Sequence, residues 1–491
     1  MNLSDLLAGH DFQVLYGDPD KADVSAGIAY DSRRMTAGSM YIAMRGSRAD
    51  GHQFIADAVE RGAGAVLVER PALGDLPPSQ VCVVRVADTR AVAPLVASRY
   101  FGEPSREMQV VAVTGTNGKS SISYMIESVL RGAARARVGV IGTDGSRVGD
   151  EPIRIDQTTP TTPEAVELQH ILRTMRDRGA GAVVLEASSM ALKLRRVDHT
   201  DIDVGVFTNL SPDHLDNHGS MEAYKQAKLL LFSGLCRHAV ANADDPVSGD
   251  IAALMPGAVT TYGLDGTSAQ VRATDLQVDA TGTRFVLHHA GRSRPARVPI
   301  PGRFAVYNAL ATLATGHLLG HDMDAMLGAM EELPAIPGRF QTYQTPAGVS
   351  VIVDYAHSSD SLRQVLTTIR GFAERRVVTV FGCGGDRDPS KRAPMGEIAG
   401  TYSDVVVVTS DNPRSENPDA IIDAIMPGVS ASTARVERIT DRRQAIARAL
   451  EIAEPGDVVL VAGKGAEPYQ IIGDRKLPFG DMRTVRTLAS A

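Results

Sequence analysis

The chain has 491 residues, 43% of them hydrophobic and 22% charged, with a formal net charge of −7. A soluble globular protein of about three domains fits that length and balance, and the acidic excess excludes broad binding to nucleic acid or to anionic membrane. Three scattered cysteines, Cys82, Cys236 and Cys383, lack CxxC spacing and exclude a disulfide framework or a thiolate zinc site. The first residues, MNLSDLLAGHDFQVL, carry no basic segment, and no later apolar run reaches about 18 residues. A cytoplasmic enzyme is expected.

Residues 1–98 mix short strand-like runs (SAGIAYDS, GSMYIAM, GAVLVE, QVCVVRV) with one helical pattern, HQFIADAVERGA. From about 104 a longer rhythm begins. QVVAVTG is predicted as a strand, SSISYMIESVLRG as an amphipathic helix ending at Gly132, and RVGVIGT as a strand. A helix over EAVELQHILRTMRDRG then precedes the strands GAVVLEA and VGVFTNL. This alternation predicts a parallel, doubly wound sheet. Residues 267–300 read as an antiparallel excursion, and RFAVYNALATLATGHLL as a helix behind it. EELPAIPGRFQ, with two prolines and a glycine, is the best boundary after that, and VSVIVDY, RVVTVFG, DVVVVTS and DVVLVAG follow as four strands of a Rossmann-like region. The fold class expected is α/β, in three domains: 1–98, a small N-terminal unit; 99–334, a central parallel-sheet unit with a phosphate loop; and 335–491, a Rossmann-like unit.

Ligands of open α/β sheets bind at the carboxyl ends of strands, and each polar motif falls at such an end. Gly115-Thr116-Asn117-Gly118-Lys119-Ser120-Ser121 follows a strand and opens a helix. Glycines let backbone N–H groups crowd around phosphates, Lys119 reaches the terminal phosphates, and Ser120 offers an oxygen to Mg²⁺. The loop is two residues shorter than the standard GxxxxGK[ST], and an ordinary tight turn is the alternative. Glu186 in VVLEASSM stands where an acid could hold a metal, or be a solvated strand end. His214 in NLSPDHLDNHGS has metal-site neighbours, although such residues commonly serve as caps and turns. In SDNPRSENP, Asp411, Asn412 and Arg414 put an acid, an amide and a guanidinium on one proline-stiffened loop, against the alternative of an Asx-Pro turn with a surface arginine. FGCGG lacks the spacing of a dinucleotide fingerprint, so no NAD site is expected. His52, His170, His199 and His357 are isolated and read as surface or packing residues.

GTNGKSS, LEASS, TNLSPDHLDNH and EAYKQAKLLLF resemble, in order and spacing, the central domain of the Mur ligases. YDSRRMTAGSMYIAMRGSRADGHQFI, DYAHSSDSL, FGCGGDRDPSKR, TSDNPR and GKGAEPYQ extend the resemblance over essentially the whole chain. Mur ligases are ATP-dependent enzymes that add amino acids to the peptidoglycan precursor. The resemblance implies a uridine-binding N-terminal domain, a central ATPase domain and a C-terminal domain that binds the incoming amino acid. It implies that Gly115 to Ser121, Asn308 (adenine), Arg339 (phosphate) and Asp354 (ribose) bind ATP. Lys119, Glu186, His214 and Lys228 are implied as catalytic, with Ser120, Glu186, His214 and Lys228 serving two Mg²⁺ ions. Lys228 would do so as a CO₂-derived carbamate, an unmodified surface lysine being the alternative. Ser32 and Arg33 fall in the uridine segment, and Thr158, Thr159, Ser188 and Arg196 correspond to contacts with the UDP-muramoyl peptide.

The implied reaction makes an acyl phosphate from the substrate carboxylate and ATP, and then an amide as the amine displaces phosphate. In the family, DNPR marks the members that add meso-diaminopimelate to UDP-N-acetylmuramoyl-L-alanyl-D-glutamate. Arg387, Gly463 and Glu467 complete that contact set. The arginine fork matches the donor's distal carboxylate, while Asp411, Asn412 and Glu467 accept from its ammonium. A monomer acting without nucleic acid or membrane is expected. Four positions depart from the family pattern: Met190, Ala305, Gln341 and Ala466. They keep open a paralogue that uses L-lysine or a secondary-metabolism substrate, and a poorly active module that binds the UDP-muropeptide.

Overall fold

The computed structural model of the protein describes residues 1–46, 49–70, 81–265 and 268–490. Ser47 and Arg48 of the N-terminal motif, Gln80 of QVCVVRV and Thr267 of the antiparallel segment lie outside these residues. The chain forms two compact units, one of Met1–Thr114, Ala136–Gly205 and Ala227–Arg237, the other of Gly115–Arg135, Val206–Gln226 and His238–Ala491.

In the first unit the N-terminal residues build a five-stranded sheet. Its order is Gln13–Tyr16, Cys82–Arg85, Ala65–Val68, Met40–Ile42, Ile28–Ala29, parallel except for the antiparallel first strand. Strand side chains alternate between faces, and both faces are apolar here. Met40, Ile42, Ala65 and Leu67 pack with Leu3, Leu6 and the helix Thr89–Tyr100, while Tyr41, Val66 and Val68 pack with Ile55 and Ala58 on the other side. The helix expected over HQFIADAVERGA is split: Gly51–Phe54 is a 3₁₀ turn capped by Asp50, and only Ile55–Glu60 is α-helical.

The same unit holds three parallel strands in register, with Gln109–Thr114 and Val138–Gly142 on either side of Ala182–Glu186. Nearly every residue in them is buried, as expected for parallel strands covered on both faces. Gly145–Val148 and Glu151–Pro152 continue the sheet antiparallel.

Cys236–Asn242, which from His238 on belongs to the second unit, runs parallel with Val259–Gly263 and Val271–Asp279. The expected antiparallel excursion follows as Gly282–His289 and Arg292–Val298. The helix Lys119–Ala134 runs past Gly132 and ends at Arg135 in the left-handed region, φ 52°. Gly132 sits inside the helix because a Cβ there would come within 2.7 Å of the Ala329 Cβ. The C-terminal sheet has the order Gln341–Gln344, Ser350–Asp354, Val458–Ala462, Val377–Phe381, Val405–Val408, Arg435–Arg438, parallel but for its first strand. Three of its four inner strands, Val458–Ala462, Val377–Phe381 and Val405–Val408, are fully buried valine-rich runs; they are adjacent and parallel, so their carboxyl ends lie side by side. No helix among the described residues is long and apolar enough to cross a membrane.

Candidate active site

The phosphate loop lies in the second unit. Gly115 (φ 147°) and Gly118 (φ 88°) take up conformations that favour glycine. A Cβ on Gly115 would fall 1.8 Å from Thr208 Oγ1, and one on Gly118 2.7 Å from Asn308 Oδ1. The loop is pinned by TNL: Thr116 N–H donates to Asn209 O (2.9 Å), Asn117 N–H to Asn209 Oδ1 (3.0 Å), and Thr208 Oγ1 to Asn117 O (2.6 Å). Lys119 curls over it, its Nζ donating to the Gly115 and Thr116 carbonyls at 3.0 and 2.9 Å. Arg339 Nη2 donates to Ser120 Oγ (2.9 Å), and its guanidinium stacks over the Tyr355 ring at 4.3 Å. Asn308 and Arg339 therefore both lie against the loop. Asp354 instead accepts from Phe340 N–H (2.7 Å), and desolvation raises its carboxyl above the ordinary range. Two cations, positive-φ glycines and the open N-terminus of the helix Lys119–Ala134 form a donor set suited to phosphates.

Thr116 joins this loop to the next one, since its Oγ1 donates to Ser211 O (3.2 Å) and accepts from Ser211 N–H (3.0 Å). His214 follows in a left-handed conformation (φ 54°), with Nε2 3.6 Å from Asp213 Oδ2 and its ring edge-on to Tyr224. His357, read from sequence as a packing residue, faces the same acid, with Nε2 4.0 Å from Asp213 Oδ2 and Lys391 Nζ donating to its carbonyl. Desolvation, then the Lys391 charge, pushes its imidazole down to about 4. Desolvation works against ionisation of Asp213, but His357, His214 and Lys391 outweigh it and hold the acid below its usual range.

In the first unit Glu186 is 2% exposed, which removes the solvated-terminus alternative. Its carboxylate accepts from Thr143 N–H and Thr143 Oγ1, both at 3.1 Å. Gly142 makes the room, since a Cβ there would lie 2.2 Å from Glu186 Oε1. Lys228 is 1% exposed and among the largest fully buried side chains, so it is not a surface lysine. Among the described residues no group of three or more His, Cys, Asp or Glu side chains could hold a metal ion by itself.

The residues matched to the UDP-muramoyl peptide sit in a threonine-rich network in this unit. Thr162 organises it, donating from Oγ1 to Glu186 O (2.7 Å) and accepting from Ser188 N–H (3.1 Å), while its carbonyl accepts from Thr159 Oγ1 and Arg196 Nη1. Arg196 is also paired with Glu164 (2.9 Å), itself paired with Arg90 (3.2 Å). Thr158 meets the Tyr30 hydroxyl at 2.7 Å, and Tyr30 donates to Glu167 Oε1 (2.5 Å). Burial and that carboxylate push the Tyr30 phenol well above its usual range. Ser32 is buried, whereas exposed Arg33 folds back in a bidentate pair on Asp31. Arg34 is the neighbour that reaches across, to Asp156 O (3.1 Å). Tyr30, Arg34, Thr162, Glu164 and Glu167 were not singled out from sequence. The tyrosine and Arg34 flank the quoted DSR motif, and the rest carry no local signal.

The ends of Val377–Phe381, Val405–Val408 and Val458–Ala462 carry the loops of Arg387, Asp411 to Arg414 and Gly463 to Glu467 in the second unit. Gly382 and Gly463 permit the approach: a Cβ would meet Thr409 O at 2.1 Å and Asp411 Oδ2 at 2.6 Å, respectively. Arg414 (φ 52°) donates from Nη1 to Gly385 O (2.7 Å), and Arg387 from Nη1 to Asp386 O (3.0 Å). Asn412 differs from expectation. Its Oδ1 accepts from Lys464 Nζ (3.1 Å) and Ile471 N–H (2.9 Å), and its Nδ2 donates to Glu467 Oε2 (2.9 Å), so it frames the acid rather than offering a free acceptor. Lys464, fully buried and unremarked in the sequence, donates to the same Glu467 oxygen (2.7 Å). Beneath, Arg442 and Asp481 form a bidentate pair, both fully buried, and Arg442 Nη2 also donates to Ala462 O (2.9 Å). Of the four departures, Gln341 still supplies an acceptor, its Oε1 taking the Gly338 N–H (2.9 Å), and Ala305 is wholly buried in its helix.

An α/β chain with a glycine-lysine phosphate loop between a strand and a helix fits a class of phosphate-using enzymes, and the comparisons define that class as a ligase family. Three family models match: Mur ligase family, catalytic domain (25–100), Mur ligase middle domain (113–316) and Mur ligase, glutamate ligase domain (338–465). The chain is 40% identical over 488 residues to UDP-N-acetylmuramoyl-L-alanyl-D-glutamate--2,6-diaminopimelate ligase 2 of Clostridium acetobutylicum, covering 99% of this chain and 100% of that protein. It is 41% identical to the corresponding ligase of Geobacillus kaustophilus, covering 96% and 95%. A solved UDP-N-acetylmuramoyl-L-alanyl-D-glutamate--2,6-diaminopimelate ligase superposes with TM-score 0.72 at 32% identity, covering 100% and 99%. MurF ligase of Thermotoga maritima in complex with ADP shares the fold, with TM-score 0.62 at 20% identity over 89% and 93%. The chain belongs to the Mur ligase family, with its three-domain architecture of mixed α/β sheets.

Proposed function

We propose that the chain is an ATP-dependent ligase that adds meso-diaminopimelate to UDP-N-acetylmuramoyl-L-alanyl-D-glutamate during peptidoglycan precursor synthesis, and so serves cell shape and division. The observation that supports this is the loop cluster after three adjacent parallel strands, where Arg414 reaches the Gly385 carbonyl two residues from Arg387 and Asn412 reaches Glu467. Domain limits near residues 98 and 334, cytoplasmic localisation and a monomeric state belong to the same reading.

The loop from Gly115 to Ser121, with Asn308, Arg339 and Asp354, binds ATP. Lys119 leaves the loop carbonyls for the terminal phosphates and offsets the charge that builds up as the dipeptide carboxylate takes the γ-phosphoryl group. Mg²⁺, when bound, neutralises phosphate charge; Ser120, Glu186, His214 and Lys228 as a carbamate are the residues we assign to two such ions. Ser32, Arg33, Thr158, Thr159, Ser188 and Arg196 hold the UDP-muramoyl peptide. The donor amine then displaces phosphate from the acyl phosphate to form the amide. No protein nucleophile is required, and positioning supplies most of the effect.

Arg414 meets the distal carboxylate in fork geometry, while Glu467, framed by Asn412 and Lys464, and Asp411 accept from the distal ammonium. L-Lysine lacks that carboxylate and leaves the guanidinium unpaired, a loss of about 1–3 kcal/mol. Arg414→Lys, a point charge in place of a fork, is expected to raise KM for diaminopimelate about ten- to hundredfold and leave KM for ATP nearly unchanged. Equal losses for both substrates would remove the assignment.

The direct test is a product assay by mass spectrometry with ATP, Mg²⁺ and the UDP-muramoyl dipeptide, offering meso-diaminopimelate and L-lysine in parallel. Tripeptide from diaminopimelate alone is expected. Product from L-lysine alone would overturn the donor assignment and leave the ligase. No product from either would move the chain to another substrate.

A further inference from the structure

The two arginines of the donor pocket are carried by different loops, 384–387 and 412–416, and apart from one bridge between Arg414 and Ile472 neither loop has regular structure to fix it. Asp386 and Arg414 are both non-glycine residues in the left-handed region, each at φ 52°. Such residues persist where surroundings over-determine them; the backbone of Arg414 is held by Ile471 and Gly473, and beyond that the two loops hold each other. Gly385 N–H donates to Asn412 O (2.9 Å), and Arg414 Nη1 donates back to Gly385 O (2.7 Å). Ser415 Oγ donates to Asp386 Oδ1 (2.6 Å) and Ser415 N–H to Asp386 Oδ2 (3.3 Å). A Cβ on Gly385 would fall 1.9 Å from Pro413 O, so the loops touch backbone to backbone.

Glu416 closes the arrangement. Its Oε1 accepts from Asp386 N–H (2.6 Å), and both carboxylate oxygens accept from Arg392 Nη2 at 2.9 Å. Arg392 is buried in the helix Arg392–Tyr402, so Glu416 is tied to a rigid element rather than to solvent. Such a support decides whether a fork meets a carboxylate within the tolerance that bidentate pairing needs. We infer that Glu416, anchored by Arg392, is a positioning residue that sets the spacing of Arg387 and Arg414 and thereby the choice of an amino-acid donor with a distal carboxylate. The inference rests on the donor reading given above.

The test is steady-state kinetics on the full chain, wild type, Glu416→Ala and Arg392→Lys, with diaminopimelate and ATP varied in turn and L-lysine as alternative donor. Glu416→Ala is expected to raise KM for diaminopimelate about tenfold or more, with kcat and KM for ATP within about twofold of wild type. Arg392→Lys keeps a cation beside Glu416 and is expected to shift the same ratio in the same direction by less. If Glu416→Ala fails to fold, the Arg392→Lys ratio decides alone. KM values for diaminopimelate and ATP that rise together, or neither rising, would overturn the positioning role while the donor reading stands. A wild type that uses L-lysine but not diaminopimelate would overturn both.

Discussion

Replacing Lys119 with methionine is expected to lower the rate of amide formation by about 10²–10³-fold or more, with the UDP-muramoyl dipeptide still bound. Methionine fills a similar volume, so the change isolates the charge. The ammonium already lies over the Gly115 and Thr116 carbonyls and needs only to exchange these two acceptors for phosphate oxygens. A neutral side chain leaves Arg339, beside Ser120, as the cation at the loop. Single-turnover measurement of acyl phosphate formation at saturating ATP checks this, and a rate within about tenfold of wild type would mean that Lys119 acts elsewhere.

Arg442→Met is expected to have the largest effect on stability, about 3–5 kcal/mol, because it strands the fully buried Asp481 carboxylate. The paired change Arg442→Met with Asp481→Leu removes both charges and is expected to recover most of the loss. Urea unfolding of wild type, single and double variants measures it, and a double variant as unstable as the single would rule out the stranded charge as the cause. The pair also reaches function, since Arg442 holds the Ala462 carbonyl next to Gly463. Activity of the double variant is therefore expected to fall through the donor rather than through ATP.

What could be read from the sequence follows a physical rule. Parallel strands buried on both faces are continuous apolar runs, so Val405–Val408 and Val458–Ala462 were plain, as was the glycine-lysine loop between a strand and a helix. Boundaries that depend on packing were not: Gly132 looked like a helix stop and is instead a close contact with Ala329. Contacts made across large sequence separations were also hidden. Sequence offers Asn412 as an acceptor for the donor's ammonium because nothing nearby in the chain reveals Lys464 or Ile471, 52 and 59 residues away. His357 looked isolated because Asp213 lies on another loop. Gln341 departs from the family pattern, and its amide oxygen takes the Gly338 N–H, a contact that no local signal announces.

The backbone of Arg414 is itself part of a ladder: its N–H donates to Ile471 O (3.1 Å) and its carbonyl accepts from Gly473 N–H (2.8 Å), on the hairpin formed by Tyr469–Ile472 and Arg475–Pro478. A left-handed arginine held from both sides by a neighbouring turn is not a portable motif. Transplanting the four letters DNPR into a relative with a different donor would carry the side chain without the conformation that aims it. If Arg414 selects the donor as proposed, exchange of donor preference is expected to require moving several short stretches of the C-terminal region as one block.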